Sequence, residues 1–184
     1  MERAARVLTQ CVVGHEQSCA SFRYTLDNSL LSTEQRDFYE ENGFLVVKNL
    51  LQPHEVDTLA AHFGKLCSGE IEPYIGMSIM RDISVAKTAE TKQSARIITK
   101  IQDWQDDEVL FEYCKHPRIL DYVECFTGPN IRSIHTMIIQ KPVVTNAPSS
   151  RHPLHQDLVY FPFRPADKIV CSWTCMEERI SREN

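Results

Sequence analysis

The sequence lacks the features that mark several large classes of protein. Its longest apolar runs fall far short of the roughly 18–20 residues that a transmembrane helix needs, so no membrane span is predicted. It has no long block of like charge, and its formal net charge is −5, which disfavours a nucleic-acid surface. No internal repeat or low-complexity tract is visible. The 184 residues therefore fit one globular domain that can bury a core.

Paired cysteines are also missing. The seven cysteines are scattered and odd in number, and no C-x-x-C pair occurs, so neither a disulfide framework nor a zinc site is indicated. This usage is typical of a reducing compartment. Cys171 and Cys175 lie in an apolar run, where we expect them to act as small hydrophobic residues.

The predicted elements place helices first and strands last, which indicates an α+β fold. Ser32 and Gln35 have capping-box spacing, and Gly43 suits the end of the helix that they begin. Apolar periodicity after Pro53 predicts a second helix. Two more helices are predicted over 106–115 and 118–126. Strands are predicted over 44–47, 78–80, 97–101, 131–140, around 155–157, and over 168–176.

His155 and Asp157 are candidate metal ligands. On a strand, residues i and i+2 point to the same face, so these side chains would lie side by side. An imidazole and a carboxylate are two of the three ligands of the 2-His-1-carboxylate triad that holds Fe(II). By itself the pattern is weak, because a surface histidine beside a turn-capping aspartate is the more common origin of such a pair. The aromatic residues over 160–163 would help to shape a cavity, although core packing explains them as well.

Three longer blocks carry a resemblance to a known family. They are residues 38–44 (FYEENGF), residues 124–130 (ECFTGPN) and residues 150–173, which contain His155 and Asp157. Together they resemble the phytanoyl-CoA dioxygenase (phytanoyl-CoA 2-hydroxylase) family, over residues 24–181. The resemblance implies N-terminal helices packed on a double-stranded β-helix, or jelly roll, which would be incomplete here.

The resemblance also implies a reaction. Family members hydroxylate the carbon next to the thioester carbonyl of phytanoyl-CoA and related 3-methyl-branched acyl-CoAs, in fatty acid α-oxidation. The implied cofactor is Fe(II), the co-substrates are 2-oxoglutarate and O₂, and ascorbate supports the activity. A facial triad leaves three metal positions open, which suffice for a chelating 2-oxoglutarate and O₂.

The roles of individual residues follow from the same resemblance. His155 and Asp157 match two iron ligands, and Lys100 matches a lysine that contacts 2-oxoglutarate, a sensible partner for a dicarboxylate. Other positions that line the co-substrate are matched by Met137, Gln156 and Trp173.

Without the resemblance, several of these residues have ordinary readings. Lys100 would be a solvated charge at a strand end, and Met137 and Trp173 would be core residues. His135 and His152 lie nearby in the sequence, and we assign them no ligand role.

The family also has a distal histidine as the third iron ligand and an arginine that pairs with the far carboxylate of 2-oxoglutarate. The sequence holds neither at a matching position, so we expect the 184-residue polypeptide by itself to have little or no hydroxylase activity. The alternative is a catalytically inactive truncated isoform that acts as an interaction module. A family member with a different substrate is a third possibility. We also expect the last strand to expose an apolar edge, which favours aggregation.

Residues 1–23 are predicted to be a leader or targeting segment, and residues 24–184 the N-terminal part of one dioxygenase domain. Relatives carry an N-terminal peroxisomal signal. Arg6 and Val7 begin this pattern, but His15 comes two residues late and Glu16 replaces a small or apolar residue. The resemblance implies the peroxisomal matrix, with an import receptor as a partner. A mitochondrial or cytosolic location is the alternative.

Overall fold

The computed structural model describes residues 22–81, 98–140 and 154–176. Within them the elements are α1 (Thr33–Asn42), α2 (Pro53–Ser68), β1 (Ser78–Arg81), β2 (Ile98–Gln102), α3 (Glu112–Lys115), α4 (Pro117–Thr127) and β3 (Met137–Ile139), followed by 3₁₀ turns at Asp157–Val159 and Ala166–Lys168. The strands form an antiparallel sheet in the order β1-β2-β3. No described helix is long and apolar enough to cross a membrane. The predicted mixture of helices and strands is confirmed.

Local sequence signals account for the first helix. The Ser32 hydroxyl accepts a hydrogen bond from the Gln35 amide at 3.2 Å, and the Gln35 side chain accepts one from the Ser32 amide at 2.9 Å. Gly43 ends the helix at φ 75°, a left-handed conformation that glycine adopts without steric cost. The capping box and the helix end are both confirmed.

The central strand β2 buries one face of the sheet. Ile101 is fully buried, and its cross-strand partners are Ile79 and Ile138. They form one cluster with Ile98 of the same strand, with Phe63 and Leu66 of α2, and with Trp104 and Leu110 after β2. Because side chains alternate along a strand, Lys100 lies on the opposite, open face of the sheet, together with its cross-strand partners Met80 and Ile139.

A second apolar cluster joins α4 to the N-terminal part of the chain. Leu31, Cys125 and Phe126 are buried in it. The ring of Tyr39 in α1 lies 4.5 Å from that of Phe126, measured between centroids. Leu45 packs against the same cluster. The two clusters are the cores on which the remaining segments are placed.

Several predicted strands are wrong. Residues 44–47 and 169–176 are not strands of the described sheet, and in the region predicted over 131–140 the strand is limited to Met137–Ile139. A strand requires a neighbouring backbone that supplies hydrogen bonds, and apolar composition alone does not provide one. The predicted order of helices before strands is also wrong, because β1 and β2 precede α3.

The helix predicted over 106–115 is shorter than expected and is confined to Glu112–Lys115. Asp107 begins a helical turn, because its Oδ1 accepts hydrogen bonds from the amides of Val109 and Leu110, at 3.0 and 2.8 Å. The amides of Glu112, Tyr113 and Cys114 then bind carbonyls three residues before them, as in a 3₁₀ helix. This tighter bonding limits the α-helix to the last residues of the predicted range. The next helix, Pro117–Thr127, agrees with its prediction over 118–126.

Residues 169–176 are attached through side chains. The Tyr113 hydroxyl forms hydrogen bonds with both Ser172 Oγ and Thr174 Oγ1, each at 2.9 Å. At the two ends of the segment, Val170 packs against the second cluster and Met176 against the sheet cluster. These contacts are all made by even-numbered residues, whereas Cys171, Trp173 and Cys175 are exposed.

Glu55, at the start of α2, joins that helix to the start of α4. Its carboxylate accepts hydrogen bonds from the Gln52 amide at 2.6 Å, from His116 Nε2 at 3.0 Å and from Arg118 Nη2 at 2.9 Å. These partners lower the pKa of Glu55 from about 4.5 to about 2. The largest cause is the hydrogen bond from the Gln52 amide, followed by His116 and Arg118.

This shift makes a prediction about stability and pH. A carboxyl group with a lowered pKa in the folded state stabilises the fold fully above its unfolded pKa, and that contribution is lost as the pH falls through the folded value. We expect Glu55→Gln to lower the melting temperature at pH 7, and the difference from wild type to shrink as the pH falls from about 4.5 towards about 2. Thermal melts followed by circular dichroism across this range test it, with the exposed Glu41→Gln as the charge-matched control. A difference that stays constant across the range would contradict the assignment.

Candidate metal and co-substrate site

His155 and Asp157 lie side by side, although they are not on a sheet strand. Gln156 between them is extended, at φ −116° and ψ 128°, and Asp157 then begins the 3₁₀ turn. His155 Nε2 is 3.2 Å from Asp157 Oδ1, and both side chains are partly exposed. The predicted strand is wrong here, but the predicted contact is present because one extended residue is enough to align its two neighbours.

The pair fits the ligand set of Fe(II). With metal–ligand bonds of about 2.1 Å, two atoms at adjacent positions of an octahedron lie about 3.0 Å apart. The observed 3.2 Å is close to that value, and imidazole and carboxylate are the donors of the facial triad. Across residues 22–81, 98–140 and 154–176, no cluster of three or more His, Cys, Asp or Glu side chains could hold a metal ion. The described residues thus supply two candidate ligands.

A cavity of about 480 Å³ opens beside this pair. It is lined by His155, Gln156, Asp157, Leu158, Ala166, Ile169 and Cys171. A hollow of similar volume, about 490 Å³, lies between the end of α2 and β1, but no imidazole lines it. The chemistry of the lining therefore favours the cavity beside His155 as the candidate site.

Cys171 is a site residue that the sequence analysis missed. Its thiol donates a hydrogen bond to Asp157 Oδ2 at 3.1 Å, so the expectation of a small core residue is wrong. Partial burial of the thiol, together with the hydrogen bond and the negative charge of Asp157, raises the pKa of Cys171 to about 11. The thiol is therefore protonated near neutral pH and can act as a donor. No local motif marks it, since Cys171 and Asp157 are fourteen residues apart.

Lys100 and Met137 share the open face of the sheet. Lys100 pairs with Ile139 and Met80, and Met137 pairs with Gln102 on the same face. Met137 is 38% exposed, so its reading as a core residue is wrong. Met137 therefore lies diagonally across from Lys100, at a position that long side chains can span.

A chain of contacts connects this face to the ligand pair. Gln102 Nε2 lies 2.9 Å from His135 Nε2, and the His135 ring lies 5.6 Å from the Phe161 ring. The Phe161 amide in turn donates a hydrogen bond to the carbonyl of Asp157, at 2.9 Å. His135 thus joins two segments of the site. The second histidine that was assigned no ligand role, His152, lies outside the described residues.

Trp173 lies two residues beyond Cys171 in the C-terminal segment. Its side chain is 78% exposed in the structure, so the reading of Trp173 as a core residue is wrong.

The candidate site residues form two groups in the structure. One contains His155, Gln156, Asp157 and Cys171, and the other contains Lys100 and Met137. Gln102, His135 and Phe161 connect them. Their functional roles remain predictions.

Comparison with known proteins finds one matching family and several relatives. Residues 39–184 match the family model described as "Phytanoyl-CoA dioxygenase (PhyH)". The chain is 56% identical over 163 residues to "Phytanoyl-CoA dioxygenase, peroxisomal" of Homo sapiens, which covers 89% of this chain and 47% of that protein. For the Bos taurus protein of the same name, identity is 53%, over 89% of this chain and 48% of the relative. For "Probable phytanoyl-CoA dioxygenase" of Caenorhabditis elegans it is 48%, over 88% and 52%.

The chain spans about half the length of these curated relatives. The family model, in contrast, covers most of the chain, and the matched residues include the imidazole–carboxylate pair, the cavity beside it and the open face of the sheet. The chain therefore belongs to the phytanoyl-CoA dioxygenase family.

Proposed function

We propose that this chain contributes the first two iron ligands and part of the co-substrate site of an Fe(II)- and 2-oxoglutarate-dependent dioxygenase. Its reaction is 2-hydroxylation of phytanoyl-CoA and related 3-methyl-branched acyl-CoAs in fatty acid α-oxidation. The observation that carries the proposal is the 3.2 Å separation of His155 Nε2 and Asp157 Oδ1 beside a cavity of about 480 Å³. The names of the curated relatives support the substrate.

The proposed roles are those that the family resemblance implies, and the positions of the side chains support them. His155 and Asp157 hold Fe(II), which when bound supplies the oxygen chemistry of the reaction. Gln156 lines the cavity between these two ligands. The Lys100 ammonium pairs with a carboxylate of 2-oxoglutarate and offsets its charge. The exposed apolar side chains of Met137 and Trp173 close around the co-substrate and keep water from it.

The wider setting belongs to the same proposal. The described sheet forms part of a double-stranded β-helix within a dioxygenase domain over residues 24–184, and ascorbate supports the activity. The relatives named peroxisomal favour the peroxisomal matrix and an import receptor, with mitochondria or the cytosol as the alternative. The proposed leader, residues 1–23, lies outside the described residues except for its last two.

A hybrid enzyme tests the proposed activity. In the human relative, the matched segment is replaced by this chain, so that residues beyond the match come from the relative. We expect the hybrid to form succinate in the presence of phytanoyl-CoA, Fe(II), 2-oxoglutarate and ascorbate. His155→Ala should reduce the rate of succinate formation by at least about 100-fold, because an iron ligand is lost. His54→Ala, on the exposed surface, is the control and should leave the rate unchanged. An active hybrid that tolerates His155→Ala would overturn the iron assignment.

The same assay applies to the 184-residue polypeptide by itself. We expect little or no succinate, because the described residues provide two candidate ligands where the facial triad needs three. Turnover close to that of the human relative would contradict this expectation.

Lys100 has its own test in the hybrid. We expect Lys100→Met to raise the KM for 2-oxoglutarate roughly tenfold or more, because a charge-assisted hydrogen bond contributes about 1.5–3 kcal/mol. The exposed Lys48→Met is the matched control and should leave this KM unchanged. Initial rates across a range of 2-oxoglutarate concentrations measure the effect. If both variants behave alike, Lys100 does not contact the co-substrate.

An interaction module remains the second candidate, and exposed apolar side chains favour it. Leu154 is 97% exposed, Val159 76% and Trp173 78%, all in the described C-terminal segment. Grouped apolar exposure of this kind commonly marks an interface or an aggregation site. We expect the purified chain to self-associate in light scattering coupled to size exclusion, more strongly than Val159→Ser. A monodisperse monomer that melts cooperatively would count against it.

A further inference from the structure

The two oxygens of Asp157 have different partners. Oδ1 faces His155 Nε2 at 3.2 Å, and Oδ2 accepts the hydrogen bond from the Cys171 thiol at 3.1 Å. We propose that Cys171 is a positioning residue, which holds Oδ2 and thereby presents Oδ1 to a metal ion shared with His155. The inference rests on the proposed function, since it assigns a role towards the same iron site.

The position of the thiol is determined outside the site. The Tyr113 hydroxyl forms hydrogen bonds of 2.9 Å with Ser172 and with Thr174, which follow Cys171 in the chain. Val170, the residue before Cys171, is packed against the second cluster. Because contacts outside the site hold this segment, the thiol can determine the orientation of the Asp157 carboxylate. A donor on a segment without such contacts would move together with the carboxylate.

Asp157 needs such an orienting partner. It begins a single 3₁₀ turn at a partly exposed position. Among the described residues its carboxylate contacts the His155 imidazole and the Cys171 thiol, so without the thiol the imidazole is left to orient it. If the hydrogen bond to Oδ2 is removed, either oxygen can turn towards the metal. Metal binding must then restrict the rotation of the carboxylate, and this loss of conformational entropy weakens the affinity. Partners of metal ligands commonly contribute 10–100-fold to metal affinity. A thiol is a weak donor, so we expect an effect near the lower end, about tenfold.

A space-filling role for Cys171 is the competing explanation, and substitutions separate the two. Cys171→Ala removes the donor and the volume, Cys171→Val removes the donor and keeps the volume, and Cys171→Ser keeps a donor. Cys175→Ala is the control, because Cys175 is an exposed cysteine four residues along the same segment.

The experiment is Co(II) binding to the 184-residue chain, measured by equilibrium dialysis and by the visible absorption bands of the bound ion. The double variant His155→Ala/Asp157→Ala defines binding outside the site. We expect Cys171→Ala and Cys171→Val to raise the Kd for Co(II) about tenfold and to shift the absorption bands. Cys171→Ser and Cys175→Ala should remain near wild type, and thermal melts report whether each variant is folded. If Cys171→Ala does not fold, the valine variant provides the same comparison.

The outcomes separate this inference from the proposed function. Wild-type affinity in both donor-free variants, with binding still lost in the double variant, overturns the positioning role and leaves the iron site intact. A serine variant as weak as the valine variant also overturns it, because a donor then does not restore the site. If wild type binds Co(II) no better than the double variant, both the positioning role and the proposed iron site fail.

Discussion

Burial of Ile101 at the centre of β2 determines the arrangement of the open sheet face. Its partners Ile79 and Ile138 enter the same core, so the register of all three strands is tied to one buried layer. A slip of one residue would turn Lys100 into that core and expose Ile101. The slip would bury an unpaired ammonium group and expose an isoleucine, and both changes are unfavourable, so the register is strongly specified. The proposed co-substrate face is therefore a consequence of packing on the other side of the sheet.

The ligand side of the site depends on a different kind of attachment. Residues 169–176 are placed by the two hydrogen bonds of Tyr113 and by apolar contacts at the two ends of the segment. This segment carries Cys171, whose thiol reaches Asp157. The two sides then meet through His135, which lies between Gln102 and Phe161. The segments that carry the candidate ligands and Lys100 are therefore joined through His135.

Predictions from the sequence succeeded where the signal is local. The Ser32 capping box, the end of α1 at Gly43, and the strands β1 and β2 are all confirmed. The strands predicted over 44–47 and 168–176 failed because pairing partners are not encoded within a short window. The helix predicted over 106–115 is shorter than expected because several of its backbone hydrogen bonds join residues three apart, as in a 3₁₀ helix. The reading of Met137 and Trp173 as core residues failed because alternation in a strand does not show which face is covered.

The sequence by itself determined the family, the candidate ligands His155 and Asp157, and their closeness, since one extended residue between two side chains brings them together. Tertiary structure alone decided that Cys171 binds the second oxygen of Asp157 and that Lys100 shares an open face with Met137. These contacts join residues far apart in the chain. They are set by which faces of the sheet and of the C-terminal segment the apolar cores cover, and that choice depends on the whole fold.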